Sequence, residues 1–219
     1  MTDHNHITDN TQNGALFDLD GVLIDSESLY TRFWGKVGKL YGQPSPDFAL
    51  KIKGTTLTDI LNTYFPDPQA QKEIVELVHN MENEIIYPLF EGVPEFLDRL
   101  TRAGFKIAIV TSSDNTKMEY LFAQQPWMRQ RFDAIVNGSM VINSKPDPEG
   151  YLKAAAMIGC DPHRCYVFED SFQGLEAGRR AGAKVVALAT TNPREQLIGK
   201  ADMVIDSFTN LKLTDLPSL

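Results

Sequence analysis

The sequence predicts an α/β fold in which a parallel sheet is covered by helices on both faces. From residue 92 onward, short apolar runs alternate with helical patterns, as in chains that build parallel sheets. A further apolar run at residues 14–18 is separated from the others by a long segment, 26–88, whose apolar positions recur at helical spacing. This combination is typical of a Rossmann-like core that carries an inserted α-helical cap domain.

The first predicted strand, residues 14–18, ends in two carboxylates. Asp18 and Asp20 lie one residue apart and precede Gly21. In an extended chain residues i and i+2 face the same way, so both carboxylates would point to one side. They repel each other, and they can approach a phosphate only if a cation neutralises them. The pattern predicts a divalent metal with oxygen ligands, although Asp-x-Asp alone more often marks an exposed turn or a helix start.

The segment 26–88 is helical in pattern and contains no convincing strand. Apolar residues recur at intervals of three and four in three places: Leu29, Phe33, Val37 and Leu40; Leu57, Ile60, Leu61 and Tyr64; and Ile74, Leu77, Val78, Met81 and Ile85. Proline-containing breaks separate the three groups. The segment is therefore predicted to be a small helical bundle.

Residues from 92 onward predict the rest of the sheet. Gly92 and Pro94 predict the start of a helix, because proline is favoured in the first turn, and Gly104 predicts its end. The apolar runs that follow are nearly continuous, as in strands buried on both faces. They predict strands at residues 107–111, 134–136, 166–168, 185–188 and 203–205. Helices are predicted between them, beginning near Thr116, after Pro148 and at Ser171.

These patterns divide the chain into three parts. Residues 1–13 are predicted to be a disordered tail, residues 14–25 and 90–219 the α/β core domain, and residues 26–89 the helical cap domain. The inserted segment leaves and re-enters the core next to Asp18 and Asp20. The cap is therefore expected to lie over the two carboxylates as a lid.

Composition restricts the possible partners. The chain has 219 residues, of which 42% are hydrophobic, and a formal net charge of −8. The negative charge argues against a nucleic-acid or anionic-membrane partner, and no apolar run approaches the roughly twenty residues that span a bilayer. The polar N-terminal residues lack the layout of a signal peptide. We expect a cytoplasmic monomer or weak homodimer, with Cys160 and Cys165 as buried free thiols.

Polar side chains also follow other predicted strands. Residues 111–113 are hydroxyl-bearing and suit an anionic oxygen, Lys145 precedes a proline turn, and Glu169 and Asp170 follow an apolar run. Each has an ordinary explanation, as a helix cap, a solvated lysine or acids at a helix start. Because strand carboxyl ends meet at one edge of a parallel sheet, together they predict a site for metal-assisted phosphoryl transfer.

Four motifs therefore occur in order: residues 17–27 (Phe-Asp-Leu-Asp-Gly-Val-Leu-Ile-Asp-Ser-Glu), 110–113 (Val-Thr-Ser-Ser), 145–148 (Lys-Pro-Asp-Pro) and 168–171 (Phe-Glu-Asp-Ser). With them the chain resembles the haloacid dehalogenase (HAD) superfamily of phosphatases and phosphomutases. Within the superfamily it is most similar to the branch with a helical cap that contains β-phosphoglucomutase. The resemblance runs from about residue 14 to residue 208.

The resemblance implies a Mg²⁺-dependent phosphohydrolase that acts on a small phosphorylated metabolite, such as a sugar phosphate, through an aspartyl-phosphate intermediate. Asp18 would be the nucleophile. Asp20 would protonate the leaving oxygen and then take a proton from the attacking water. Thr111 would hold the transferring phosphoryl group, and Lys145 would offset charge between nucleophile and phosphate.

The same resemblance implies the binding residues. The metal ligands would be Asp18, the backbone carbonyl of Asp20, Asp170, and Glu169 either directly or through water. The implied substrate-binding residues are Leu19, Gly21, Ser112, Ser113, Gly54 and Thr55, the last two in the recognition loop of the cap.

A phosphosugar mutase of the β-phosphoglucomutase type is the alternative. Where the mutase has an arginine that grips a second phosphate, this chain has Leu57; a basic residue after the second motif is replaced by Asp114, and a cap histidine by Tyr30. Phosphate recognition depends on charge-assisted contacts, so these changes favour a phosphatase. Three basic residues of the cap could compensate: Arg32, Lys51 and Lys53.

Two other classes use related residues. A response-regulator-like receiver module also carries acids, a hydroxyl and a lysine on a parallel sheet. It needs neither a large insertion after the first strand nor an acid/base at Asp20. Haloalkanoate dehalogenation on the same scaffold would require neither Asp20 nor the metal-binding acids. Both classes are disfavoured by the complete set of motifs.

Overall fold

The structure is a computed structural model that describes residues 12–43, 45 and 47–219. The prediction of a disordered tail falls almost wholly on residues outside the described part. The described strands are β1 (Gly14–Phe17), β2 (Lys106–Val110), β3 (Ala134–Val136), β4 (Cys165–Glu169), β5 (Lys184–Leu188) and β6 (Met203–Ile205). The described α-helices are α1 (Glu27–Leu40), α2 (Phe48–Lys51), α3 (Leu57–Tyr64), α4 (Pro68–Glu84), α5 (Val93–Arg102), α6 (Asn115–Gln124), α7 (Pro126–Arg131), α8 (Glu149–Met157), α9 (Phe172–Arg180) and α10 (Arg194–Leu197).

The strands form one parallel sheet in the order β3-β2-β1-β4-β5-β6. β1 lies at its centre, where Leu16 is in register with Ala108 of β2 and Val167 of β4. Strands that are far apart in sequence therefore become neighbours across the insertion. The predicted α/β fold with a Rossmann-like parallel sheet is confirmed.

Both faces of the sheet are covered, because alternate residues of each strand point to opposite sides. Phe17 packs on one face, where its ring stacks on that of Phe168 with 4.6 Å between centroids. Leu16 packs on the other face in a separate cluster with residues of α8 and α9. The strands are apolar on both sides because neither face meets water.

The four cap helices, α1–α4, have a hydrophobic cluster of their own. Its buried members include Trp34, Phe48, Ile60 and Ile74, none of which belongs to either cluster of the sheet. The two connections to the sheet lie side by side, since the Asp25 backbone N–H donates to the carbonyl of Pro88 at 2.9 Å. The cap helices are thus packed as a unit, while the domain boundaries stay a prediction.

Some details of the helical prediction are wrong. Leu40 and Leu77, two members of the apolar repeats in the cap segment, are 75% and 40% exposed. On α1 the buried position is taken by Trp34, one residue after the predicted Phe33. The short helices α2, α7 and α10 were not predicted. Among the described residues, no helix combines the length and the apolar character needed to cross a membrane.

Candidate active site

The carboxyl ends of β1, β2 and β4 bring the predicted carboxylates and hydroxyls to one edge of the sheet. Asp18 directly follows β1, and its backbone N–H donates to the carbonyl of Phe168 at 3.0 Å. Thr111 directly follows β2, and Glu169 is the last residue of β4. All three side chains are buried. Strand order thus places residues from three distant motifs beside one another.

Lys145 reaches the same edge, although it does not end a strand as predicted. β3 ends at Val136, and Lys145 lies in the loop that leads to α8. Its ammonium donates to Asp18 Oδ1 at 2.5 Å and to Glu169 Oε1 at 2.6 Å. Burial on its own would lower the pKa of Lys145, but the two carboxylates outweigh this effect and raise it. Lys145 is therefore a permanent positive charge next to Asp18.

Both carboxylate oxygens of Glu169 accept hydrogen bonds. Besides Lys145, the hydroxyl of Tyr151 donates to Oε1 at 2.8 Å. The other oxygen, Oε2, accepts the backbone N–H groups of Asp170 and Ser171 at 3.0 and 3.1 Å and the Ser171 hydroxyl at 3.1 Å. With both oxygens engaged, Glu169 anchors Lys145 and the start of α9.

Asp170 differs from Glu169 because one of its oxygens is unpartnered. Oδ2 of Asp170 is buried and has no hydrogen-bond partner among the described residues. Burial and the nearby Glu169 raise the pKa of Asp170, and burial likewise raises the pKa of Asp18 although Lys145 opposes it. Both shifts reflect buried negative charge that the Lys145 ammonium does not fully offset.

The acidic cluster has the composition of a divalent-cation site. Asp18, Glu169 and Asp170 each offer a carboxylate oxygen, and these atoms lie within 4.8 Å of one another. Three carboxylates against one ammonium leave an excess of negative charge, and oxygen ligands are those that hard divalent cations prefer. A Cβ at Gly21, whose φ is +80°, would lie 2.1 Å from Asp170 Oδ2. Gly21 therefore leaves space in front of the orphaned oxygen, and the residues fit a bound divalent metal.

Asp20, the second carboxylate of the first motif, has separate partners. The Ser26 hydroxyl donates to its Oδ1, and the Ser113 hydroxyl donates to Oδ2 at 3.1 Å. The ammonium of Lys117 also donates to Oδ2, at 2.5 Å. The sequence interpretation missed Lys117. Its one signal is that it precedes Leu121 by one turn on the buried face of α6, an unusual place for a lysine.

The hydroxyls after β2 connect the core to the cap. Thr111 and Ser113 hydrogen-bond to each other through their hydroxyls at 3.0 Å, and the Ser112 hydroxyl donates to the carbonyl of Gly54 at 2.7 Å. A Cβ at Gly54, whose φ is +77°, would lie 3.1 Å from the hydroxyl oxygen of Ser171. The cap loop at Gly54 thus lies against the polar residues that follow β2 and β4, while its role in substrate recognition stays a prediction.

The predicted substrate-binding residues differ in whether their side chains reach the cleft. Ser112, Ser113, Gly54 and Thr55 line the cleft between cap helices and sheet. The Leu19 side chain is fully buried in the core. Only the backbone of Leu19 is therefore left for a contact with substrate.

The cleft between the cap helices and the sheet is open to solvent, and the part of it that a water-sized sphere can fill is about 120 Å³. Its floor is the polar sheet edge with Asp18 and Asp20. The cap contributes polar and charged side chains, among them Glu27, Lys53 and Glu82, and six apolar ones: Trp34, Ala49, Ile52, Leu57, Ile60 and Val78. A ligand would therefore meet the charged sheet edge on one side and a mixed apolar and polar surface on the other.

The basic residues of the cap are either outside the cleft or engaged in an ion pair with a carboxylate. Of the three basic cap residues that could compensate for the missing arginine, Arg32 and Lys51 are exposed and do not line the cleft. The third, Lys53, lines it, but its ammonium lies 2.5 Å from a carboxylate oxygen of Glu27. Asp114 is likewise engaged, with His79 of α4 at 3.0 Å.

Fold and motifs together define a class of hydrolase built on a parallel sheet with a helical insertion after the first strand. Residues 15–188 match the family of haloacid dehalogenase-like hydrolases. The chain belongs to this family, and the predicted resemblance is confirmed.

Individual relatives place it more narrowly, in the β-phosphoglucomutase-like branch. The chain is 29% identical over 206 residues to a β-phosphoglucomutase of Mycobacterium bovis, covering 78% of this chain and 79% of the relative. It is 32% identical over 176 residues to a phosphorylated carbohydrates phosphatase of Thermotoga maritima, covering 77% and 81%. The crystal structure of CbbY from Rhodobacter sphaeroides with xylulose-(1,5)bisphosphate superposes with a TM-score of 0.77 at 25% identity, covering 95% of this chain and 100% of that one.

Proposed function

We propose that the protein is a Mg²⁺-dependent phosphatase of a small phosphorylated metabolite, a sugar phosphate, and that it works through an aspartyl-phosphate on Asp18. One observation carries the proposal. The buried Asp18 carboxylate is paired with Lys145 and lies beside the unpartnered oxygen of Asp170, at the floor of the cleft between cap and sheet. The names of the phosphatase and mutase relatives support the substrate class.

The side chains around Asp18 support its role as nucleophile. An ionised carboxylate needs no base to attack phosphorus. Asp18 and Asp170 would hold Mg²⁺, with Glu169 acting through water because its own oxygens are engaged. When bound, the metal supplies positive charge that favours ionised Asp18 and screens the phosphoryl oxygens. Lys145 supplies the remaining positive charge on the other side of Asp18.

Proton transfer falls to Asp20 in this proposal. As the bond from phosphorus to the ester oxygen breaks, Asp20 gives a proton to that oxygen and the alcohol leaves. Water then attacks phosphorus, gives its proton to Asp20, and releases phosphate and the Asp18 carboxylate. Thr111 and Ser112 would bind and orient the phosphoryl group through hydroxyl and backbone N–H groups.

The pairing of the cations favours a phosphatase over a mutase. A mutase must bind the second phosphate of a bisphosphate, which requires charge-assisted contacts. Lys53 already pairs with Glu27, and Lys117 with Asp20, so neither ammonium is free to hold another phosphate. We further propose a cytoplasmic monomer or weak homodimer without nucleic-acid or membrane partners, which the net charge of −8 supports.

The test is phosphate release from a panel of phosphorylated metabolites with Mg²⁺ or with a chelator. We expect turnover with Mg²⁺, none with the chelator, and none in Asp18→Asn. Asp98→Asn, an exposed carboxylate on α5, is the matched control and should leave turnover unchanged. Unchanged turnover in Asp18→Asn would exclude the mechanism. With β-glucose 1-phosphate and a bisphosphate primer, glucose 6-phosphate that appears faster than free phosphate would establish the mutase instead.

A further inference from the structure

Lys117 is a buried charge that the proposed chemistry does not use. Its side chain is 3% exposed, and its ammonium lies 2.5 Å from Asp20 Oδ2. We propose that Lys117 is a positioning residue that holds the Asp20 carboxylate in the orientation needed to protonate the leaving oxygen. This inference rests on the proposed function, because it assigns a partner to the acid of that reaction.

The contacts of Asp20 show why it needs such a partner. Oδ1 accepts from Ser26 and Oδ2 from Ser113, and both donors are hydroxyls that can rotate away. Lys117 supplies the only charge-assisted hydrogen bond to Asp20 among the described residues, and such bonds are about twice as strong as neutral ones. The direction of the Asp20 carboxylate is therefore set chiefly by the Lys117 ammonium.

Lys117 is itself held by the cap. Its ammonium lies 4.2 Å from the centre of the Tyr30 ring on α1, within the range of a cation–π interaction. The Tyr30 hydroxyl donates to Glu82 Oε1 on α4 at 2.8 Å. A side chain of α1, which is itself hydrogen-bonded to α4, therefore contacts the ammonium that reaches Asp20.

Glu82 supplies a second charge near this ammonium. It is 4% exposed, and its Oε2 has no hydrogen-bond partner among the described residues. Burial raises the pKa of Glu82, while the charge of Lys117 opposes that rise. Lys117 thus contacts a core carboxylate, Asp20, and its charge also acts on a buried carboxylate of the cap. This placement links the orientation of Asp20 to the packing of the cap on the sheet.

If Lys117 positions the acid, the loss of rate on its removal depends on whether the leaving group must be protonated. If Lys117 is only structural, the loss is the same for every leaving group. Benzyl phosphate releases an alkoxide that must be protonated, whereas 2,4-dinitrophenyl phosphate releases a phenolate that needs no proton. General acid catalysis contributes about 10²–10⁴-fold to rate. Loss of the positioning contact should therefore slow the first substrate far more than the second.

The experiment compares kcat/KM for these two esters in Lys117→Met. We expect a loss of at least about 100-fold for benzyl phosphate and of no more than about fivefold for 2,4-dinitrophenyl phosphate. Lys53→Met is the matched control, because this second cleft lysine pairs with Glu27 and does not contact Asp20. It should change both values by the same factor. Equal losses for the two esters in Lys117→Met would overturn the inference.

Two further variants keep the outcomes distinct. Asp20→Asn should show the same selectivity as Lys117→Met. If Asp20→Asn slows both esters equally, the acid role of Asp20 in the proposed function is wrong. If Asp20→Asn is selective for benzyl phosphate but Lys117→Met is not, only the positioning role of Lys117 is wrong. If circular dichroism shows that Lys117→Met does not fold, Tyr30→Leu replaces it in the comparison. This variant removes the ring that contacts the ammonium. We expect kcat/KM for benzyl phosphate to fall about tenfold or more beyond the fall for 2,4-dinitrophenyl phosphate. Equal losses there would overturn the inference.

Discussion

The tightest packing near the site lies between Gly174 of α9 and the Glu169 carboxylate. A Cβ at Gly174 would lie 1.7 Å from Oε1 and 2.3 Å from Oε2, well inside the 3.0 Å below which atoms must shift. We expect Gly174→Ala to displace the carboxylate, because β4 fixes the backbone of Glu169. The displaced group loses its bonds to Lys145 at 2.6 Å and to Tyr151 at 2.8 Å.

The size of the effect follows from those two hydrogen bonds. Each hydrogen bond to a charged group contributes about 1.5–3 kcal/mol, so losing both costs about 3–6 kcal/mol. Alanine restores up to about 1 kcal/mol through its higher helix propensity. The expected net fall in the free energy of unfolding is about 2–5 kcal/mol.

The assay is urea unfolding followed by circular dichroism in metal-free buffer. The control is Gly35→Ala in α1, where a Cβ would have no atom within 4 Å. This variant should raise the free energy of unfolding by up to about 1 kcal/mol. If Gly174→Ala were as stable as the parent protein or more so, the account of the Glu169 site would be refuted.

Three further predictions concern the same edge of the sheet. Asp170→Asn removes the charge of the orphaned carboxylate, so the Mg²⁺ concentration for half-maximal phosphate release should rise about tenfold or more. Lys145→Met leaves two buried carboxylates without their cation; urea unfolding should show a loss of about 3–5 kcal/mol. Glu149 accepts backbone N–H groups of residues 142 and 143, which lower its pKa below the ordinary 4.5. Its stabilising effect is present above pH 4.5 and is lost as pH falls through the lower folded-state pKa. The urea midpoint of Glu149→Gln should therefore lie below that of the parent at pH 7, and the difference should shrink in acid.

Much of the fold could be predicted because each buried parallel strand appears in the sequence as a short apolar run. The run at 107–110 is apolar throughout since β2 is buried on both faces, and the same holds for β1 and for residues 165–168 of β4. The apolar residues of α5 recur at helical spacing, and Val93, Phe96, Leu97 and Leu100 are its four buried residues. The clustering of Asp18, Thr111 and Glu169 followed from the rule that strand ends of a parallel sheet share one edge.

Other features depend on contacts that no local pattern contains. Helical periodicity does not settle which way a helix is rotated, so Trp34 is buried on α1 while Leu40 is exposed. α2 and α10 span four residues each, too few to display a period. The contact of Lys117 with Asp20 joins two residues that are far apart in the sequence, so no local pattern predicts it.

The central claim is that the Asp18 carboxylate becomes phosphorylated during turnover. Borohydride reduces an acyl phosphate to an alcohol, so the enzyme can be mixed with substrate and Mg²⁺, quenched, reduced and digested. Mass spectrometry of the peptide that contains Asp18 should then show conversion of this residue to homoserine, and only when substrate and metal are both present. Reduction at Asp20 or another carboxylate, or no reduction during active turnover, would contradict the account.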